Sequence, residues 1–138
     1  MKTTLLLVED SRFLSVVNER TLVKAGYSVL TAADGEEALR VARNEVPDLI
    51  LLDMLLPKLG GPEVLSELKR DPRTSQIPVI VLSSLPQKNE AKLKREGATD
   101  YVEKSRLMGE TGSALLVDAV EMALRRSRSV FAPQESKD

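Results

Sequence analysis

Pro47-Asp48-Leu49-Ile50-Leu51-Leu52-Asp53 sets four consecutive aliphatic residues between a helix-stopping proline and a carboxylate. An unbroken apolar run of this length, without polar alternation, predicts a strand buried on both faces, the habit of a parallel sheet. The same pattern recurs on either side, in Leu5-Leu6-Leu7-Val8, Val29-Leu30-Thr31-Ala32 and Val79-Ile80-Val81-Leu82, with a weaker version in Tyr101-Val102. Segments of helical spacing separate these runs. Phe13, Val16 and Val17 begin the first, with Leu22 and Val23 further along; Ala38, Leu39 and Ala42 mark the second; Val64, Leu65 and Leu68 mark the third. Residues 87–96 form a more polar fourth segment resting on Ala91 and Leu93, where the weakest packing is expected. Leu115, Leu116, Ala119, Val120 and Ala123 mark the last. Five strands alternating with five helices make a (βα)5 pattern, and right-handed crossovers then give one parallel sheet covered on both faces.

Punctuation residues agree with this division. Asp34 followed by Glu37 reads as a capping box, and Pro62 after Gly61 suits the first turn of the third helix. Gly26 and Gly97 each follow a basic helix end, where a left-handed residue is expected. Pro47 and Pro78 stop helix propagation before strands. The chain has 138 residues, a comfortable size for one domain. We place that domain at residues 1–128 and expect a disordered tail at 129–138, too short for a DNA-binding or catalytic output domain.

Composition removes whole classes of chemistry. There is no cysteine and no histidine, which excludes disulfides, thiolate or imidazole metal sites and histidine-based triads. Any metal must sit on oxygen ligands. Twenty basic residues against 21 acidic ones leave a net charge of −1, without the basic excess of a nucleic-acid or anionic-membrane binder. Arg125, Arg126 and Arg128 read as a solvated helix end. Only 3% of residues are aromatic, so the core must be aliphatic. No apolar run approaches the ~18 residues that span a bilayer. The N-terminal run is stopped by Glu9-Asp10, too soon for a signal peptide, so a cytoplasmic protein is expected.

In open parallel sheets, ligands bind beyond the carboxyl ends of the strands. The first strand delivers Glu9-Asp10 there, the third Asp53, the fourth Ser83-Ser84 and the fifth Glu103-Lys104. Each group alone has an ordinary explanation as a turn former, helix cap or solvated side chain. Together they bring carboxylates, a hydroxyl and an ammonium to one edge. Carboxylates so close must take up protons or bind a cation, and hard oxygen donors suit Mg²⁺. A carboxylate can also be a nucleophile in aspartyl-phosphate chemistry, and phosphoryl transfer depends on charge neutralisation by such surroundings.

With these residues in view, the chain resembles the receiver domain of bacterial two-component response regulators, from Thr4 to about Arg126. The resemblance is carried by Leu7-Val8-Glu9-Asp10-Ser11, Ala33-Asp34-Gly35-Glu36-Glu37-Ala38-Leu39, residues 47–53, Leu56-Pro57 with Gly61, Ile77-Pro78-Val79-Ile80, and Gly97-Ala98-Thr99-Asp100-Tyr101-Val102-Glu103-Lys104. It implies a single flavodoxin-like domain with strand order 2-1-3-4-5. It implies that Asp53 is the phosphoacceptor, fed by a phosphohistidine on a sensor histidine kinase or phosphotransfer protein. Glu9, Asp10, Asp53 and the backbone carbonyl of Leu55 would hold Mg²⁺. Ser83 would hydrogen-bond a phosphoryl oxygen, Lys104 would pair with the phosphoryl group, and Tyr101 would be the aromatic switch. The face made by the fourth helix, fifth strand and fifth helix would signal to a target protein. The chain would thus be a signalling protein assisting its own phosphorylation and dephosphorylation, monomeric or weakly dimeric when phosphorylated. It would contact neither nucleic acid nor membrane.

The family usually has proline after the lysine, often in a cis peptide, whereas Ser105 stands here. A non-proline cis bond costs about 3–4 kcal/mol, so a trans bond or an altered loop is expected. The stretch 105–112, with two glycines, is expected to be mobile. A phosphatase of the haloacid dehalogenase type would need an acid where Leu55 stands, and neither GxxxxGK[ST] nor GxGxxG occurs. A phosphorylation-independent adaptor with the same fold is the remaining alternative, and retention of Glu9, Asp10, Asp53, Ser83 and Lys104 counts against it. Leu55 and Leu85 lie where polar groups help position attacking water in family members that lose phosphate fast. We therefore expect an acyl phosphate lasting minutes to hours without a phosphatase; a half-life of seconds would refute this.

Overall fold

The computed structural model describes residues 2–84, 90–109 and 111–131, with side chains in the last helix described as far as Ser127. The strands are β1 (Thr4–Val8), β2 (Ser28–Ala32), β3 (Leu49–Asp53), β4 (Val79–Ser83) and β5 (Asp100–Glu103), all parallel, in the order β2-β1-β3-β4-β5. The helices are α1 (Arg12–Lys24), α2 (Gly35–Glu45), α3 (Gly61–Arg70), α4 (Glu90–Arg95) and α5 (Gly112–Phe131).

The continuous apolar runs conceal a period of two. Leu6, Val8, Ile50, Leu52, Val79, Val81 and Tyr101 join a core with α2, α3 and α4. Leu5, Leu7, Leu49, Leu51, Ile80, Leu82 and Val102 join a second core with α1 and α5. Successive strand residues face opposite sides, so a strand between two helical layers must be apolar throughout. All five residues of β3 and of β4 are buried. The expectation fails for β2: Val29 and Leu30 are only partly buried and Thr31 is exposed, because this strand ends the sheet.

Boundary residues behave largely as read. Gly26 and Gly97 take left-handed φ of 105° and 114°. Asp34 caps α2 by accepting the Glu37 N–H at 2.8 Å, but the Glu37 carboxylate accepts from Ala33 N–H, one residue earlier than a standard capping box. The N-cap of α1 is Ser11, whose Oγ accepts the Leu14 N–H at 3.3 Å, a role not assigned from the sequence. Helix α5 continues through Phe131, past the boundary expected at residue 128, and residues 132–138 lie outside the described residues.

Two apolar readings are overturned. Phe13, Val16, Val17 and Val23 do not form the buried face of α1. Phe13 is 72% exposed, Val16, Val17 and Val23 are also exposed, and Leu22 and Asn18 are the buried residues. In α4, Leu93 is buried but Ala91 faces solvent. Spacing places residues on one helical face without saying which face meets the sheet.

Helix α2 ends on Val46, whose N–H donates to Ala42 O at 3.0 Å with φ 45°. This left-handed conformation costs a β-branched residue ~1–2 kcal/mol. Val46 is half exposed and loses little packing if shortened. Val46→Gly is expected to raise the free energy of unfolding by about 1 kcal/mol in urea titration; a destabilised variant would show that its packing outweighs the strain.

Candidate functional site

Strand parity decides which terminal side chains meet. Leu5 and Leu7 face the α1/α5 side, so Glu9 follows them there; Leu49 and Leu51 lead likewise to Asp53, and Val102 to Lys104. Val8 is in register with Leu52, which sets Glu9 beside Asp53 on neighbouring strands. Lys104 reaches across the end of β4 and places Nζ 2.8 Å from Glu9 Oε1 and 3.0 Å from Asp53 Oδ2. Glu9 and Asp53 are 2% and 3% exposed, so these ion pairs sit largely out of water. The Glu9 Oε1 contact is an ion pair, since among the described residues no donor meets that buried atom at hydrogen-bonding angles.

Backbone amides hold the other oxygens. Ser11 N–H donates to Glu9 Oε2 at 3.1 Å, and Leu55 N–H donates to Asp53 Oδ1 at 3.2 Å. Both donors lie two residues past their carboxylates, a local Asx-type closure that orients each group. Asp10 is exposed at the rim. Glu9, Asp10 and Asp53 each offer an oxygen, all within 4.8 Å of one another. Three carboxylates against one ammonium leave an excess of negative charge, and a hard divalent cation fits an all-oxygen set with an undonated buried oxygen.

Electrostatics follow from this crowding. Burial pushes the Glu9 carboxyl above its ordinary value of 4.5; the Lys104 ammonium and the Ser11 amide pull it back without cancelling the effect, and the charge of Asp53 adds to the rise. Burial alone would lower Lys104, but Glu9 and Asp53 outweigh it and hold the ammonium above its usual range.

Ser83 and Tyr101 fall on the opposite parity. They share the α2–α4 side with Val79 and Val81, and both are buried, Tyr101 inside the core next to that layer. Asp53 is in register with Leu82, so Ser83 is the next residue along β4 beside it. The described peptide bonds are all trans, including Lys104-Ser105, and a 3-10 turn at Lys104–Leu107 follows. Leu55 is exposed; Leu85 lies outside the described residues.

Gly61 does more than open α3. Its N–H donates to Met54 O at 3.1 Å, and a Cβ there would lie 2.5 Å from Met54 Cα and 2.6 Å from Asp53 O. Only glycine lets the helix start press against the backbone that carries Asp53. Its place before a proline gave no sign of this contact.

Comparisons with known proteins place this architecture. The chain matches the response regulator receiver domain over residues 5–114. It is 35% identical over 139 residues to the alkaline phosphatase synthesis transcriptional regulatory protein PhoP of Bacillus subtilis, covering 100% of this chain and 55% of that protein. It is 40% identical over 106 residues to histidine kinase P4 of Formosa agariphila, covering 75% of this chain and 8% of the kinase. The chain therefore spans about half, or less, of the curated relatives it matches. Among solved structures it is similar to a response regulator receiver domain protein from Clostridium thermocellum, with a TM-score of 0.81 and 26% identity, covering 94% and 99% of the two chains.

Neutralising Glu9 tests the charge crowding in metal-free protein. Its folded value lies above the unfolded one, so its ionisation disfavours the fold as pH rises through the folded value. Glu9→Gln is expected to be more stable than the parent at pH 7, with an advantage that shrinks as pH falls through the raised folded value and is lost by about 4.5, the ordinary value, where the native carboxyl is already protonated. Urea unfolding across this range reads the difference, and an advantage that grows toward acid would contradict it.

Proposed function

Since the chain belongs to the response regulator receiver family of two-component systems, we propose that Asp53 accepts a phosphoryl group from a phosphohistidine of a sensor histidine kinase or histidine phosphotransfer protein. The observation that carries this reading is the Lys104 ammonium drawn to 3.0 Å from Asp53 Oδ2 at the end of the central strand. In the proposed reaction an Asp53 carboxylate oxygen attacks phosphorus. The P–N bond to the donor imidazole breaks and its electron pair stays with the imidazole, leaving an acyl phosphate on Asp53. Leu55 N–H holds Oδ1, which limits rotation of the nucleophile. Lys104 then exchanges part of its pairing with the carboxylate for the phosphoryl oxygens. Ser83, one residue past the partner of Asp53 on β4, donates its hydroxyl to a phosphoryl oxygen.

Glu9, Asp10, Asp53 and the Leu55 backbone carbonyl would hold Mg²⁺, which when bound supplies charge neutralisation for the phosphoryl oxygens. Movement of Ser83 toward the phosphate is coupled to Tyr101, because both occupy the same side of adjacent strands β4 and β5. Phosphorylation would then bias an existing equilibrium of the α4–β5–α5 face, which a target protein reads. Exposed Leu55 offers no side-chain hydrogen bond to an attacking water, in keeping with slow loss of phosphate. A cytoplasmic location and output by protein contact complete the reading. Among the described residues, no helix is long and apolar enough to cross a membrane.

The test uses acetyl phosphate as the donor. Wild-type chain is expected to incorporate one phosphoryl group in Mg²⁺ and essentially none in EDTA, and Asp53→Asn none in either. Uptake by Asp53→Asn at the wild-type rate would overturn the assignment, and absence of uptake by the wild type would favour the adaptor reading.

A further inference from the structure

The stretch Ala33-Asp34-Gly35 takes no part in the phosphoryl chemistry, yet its neighbours tie it to that site. Between Asp53 and the start of α3, residues 54–60 run without regular structure. This loop carries Leu55, whose N–H holds Asp53 Oδ1. The loop is closed at its base by the Gly61 N–H, which donates to Met54 O at 3.1 Å. Its far end leans on the first residues of α2. Gly35 N–H donates to Pro57 O at 3.4 Å, and Lys58 Nζ lies 3.6 Å from Asp34 Oδ2. The other oxygen of Asp34 caps α2, so one carboxylate divides itself between helix and loop. A Cβ on Gly35 would overlap the Leu59 carbonyl and lie 2.7 Å from Leu59 Cβ. The turn between these contacts is tight: Leu59 N–H donates to Pro57 O at 2.7 Å, and Lys58 sits at φ 67°, a left-handed conformation that a side chain disfavours. Such strain persists only where the surroundings enforce it, and it gathers at functional sites.

We propose that Asp34 and Gly35 are positioning residues for the divalent-cation site. The start of α2 sets the turn at residues 57–59, and that turn, through Leu56 alone, sets the Leu55 carbonyl. The inference rests on the reading of Glu9, Asp10, Asp53 and the Leu55 carbonyl as the protein ligands of Mg²⁺. Three of those ligands are side chains fixed at strand ends, whereas the fourth is a loop carbonyl and needs an outside support. Gly35 supplies it because only a residue without a side chain lets α2 approach the Leu59 backbone so closely. Asp34 supplies the second tie through Lys58 and stands outside the carboxylate cluster itself. Partners that hold the ligands of a metal, without touching it, govern its affinity.

The experiment titrates MgCl2 into the intact chain by calorimetry. Gly35→Ala is expected to raise the Mg²⁺ dissociation constant about tenfold or more, the usual effect of removing an outer support of a metal site. Leu22→Val, in the core on the other side of the sheet, is expected to lower stability and leave the constant unchanged, which separates positioning from a general loss of stability. Should Gly35→Ala not fold, the unaltered chain still decides. Coupling is reciprocal, so a turn that places a ligand of the metal is itself tightened when the metal binds. Saturating Mg²⁺ is therefore expected to slow hydrogen exchange of the Gly35 amide, followed by NMR. Wild-type affinity in folded Gly35→Ala, or Gly35 exchange that Mg²⁺ leaves unchanged, would overturn the proposal. Failure of the unaltered chain to bind Mg²⁺ at all would instead overturn the metal reading, and this proposal with it.

Discussion

A single ammonium holds together the end of the sheet. Lys104 lies within 3.0 Å of both Glu9 and Asp53, two buried carboxylates on adjacent strands that would otherwise repel each other in a poorly solvated corner. Removing that ammonium would leave both buried carboxylates uncompensated, which is far more damaging than losing a surface pair. The arrangement also leaves a deficit, because Asp10 brings a third carboxylate that no second ammonium matches among the described residues. A site with that excess of negative charge is suited to take up a cation.

The rest of the fold serves this corner through the alternation of strands. Odd-numbered residues of β1 and β3 face α1 and α5, and the same side continues to Glu9 and Asp53. In β5 the matching parity falls on Val102 and then Lys104. Ser83 and Tyr101, on the other parity, face the α2–α4 layer. The charged cluster and the proposed switch residues thus stand on opposite parities at the ends of neighbouring strands. Gly61 completes the support, since the missing side chain lets α3 start against the backbone of Asp53 and Met54.

Much of this was legible in the residues. The aliphatic runs located the five strands, and the residues following them named the carboxylates, the hydroxyl and the ammonium. Less legible was everything that depends on which neighbour an element meets. Phe13, Val16 and Val17 have the spacing of a buried face, yet they point outward because α1 rests on Leu22 and Asn18. Val29 and Leu30 read as a two-sided strand, but β2 has a neighbour on one side only. Ser11 as a helix cap and Gly61 as a backbone contact were likewise invisible, because each role depends on distances across a turn.

By itself the sequence determined the fold class and the chemistry available, since apolar runs, turn residues and the absence of histidine and cysteine act through local and compositional physics. Tertiary structure alone decided which of those groups meet. That Lys104 bridges Glu9 and Asp53, that Asp10 stays in solvent, and that Phe13 faces outward are consequences of strand order and helix rotation. Such contacts join residues far apart in the chain, such as the 51 positions between Asp53 and Lys104. Their energies depend on burial, which is a property of the packed layers and not of any one segment.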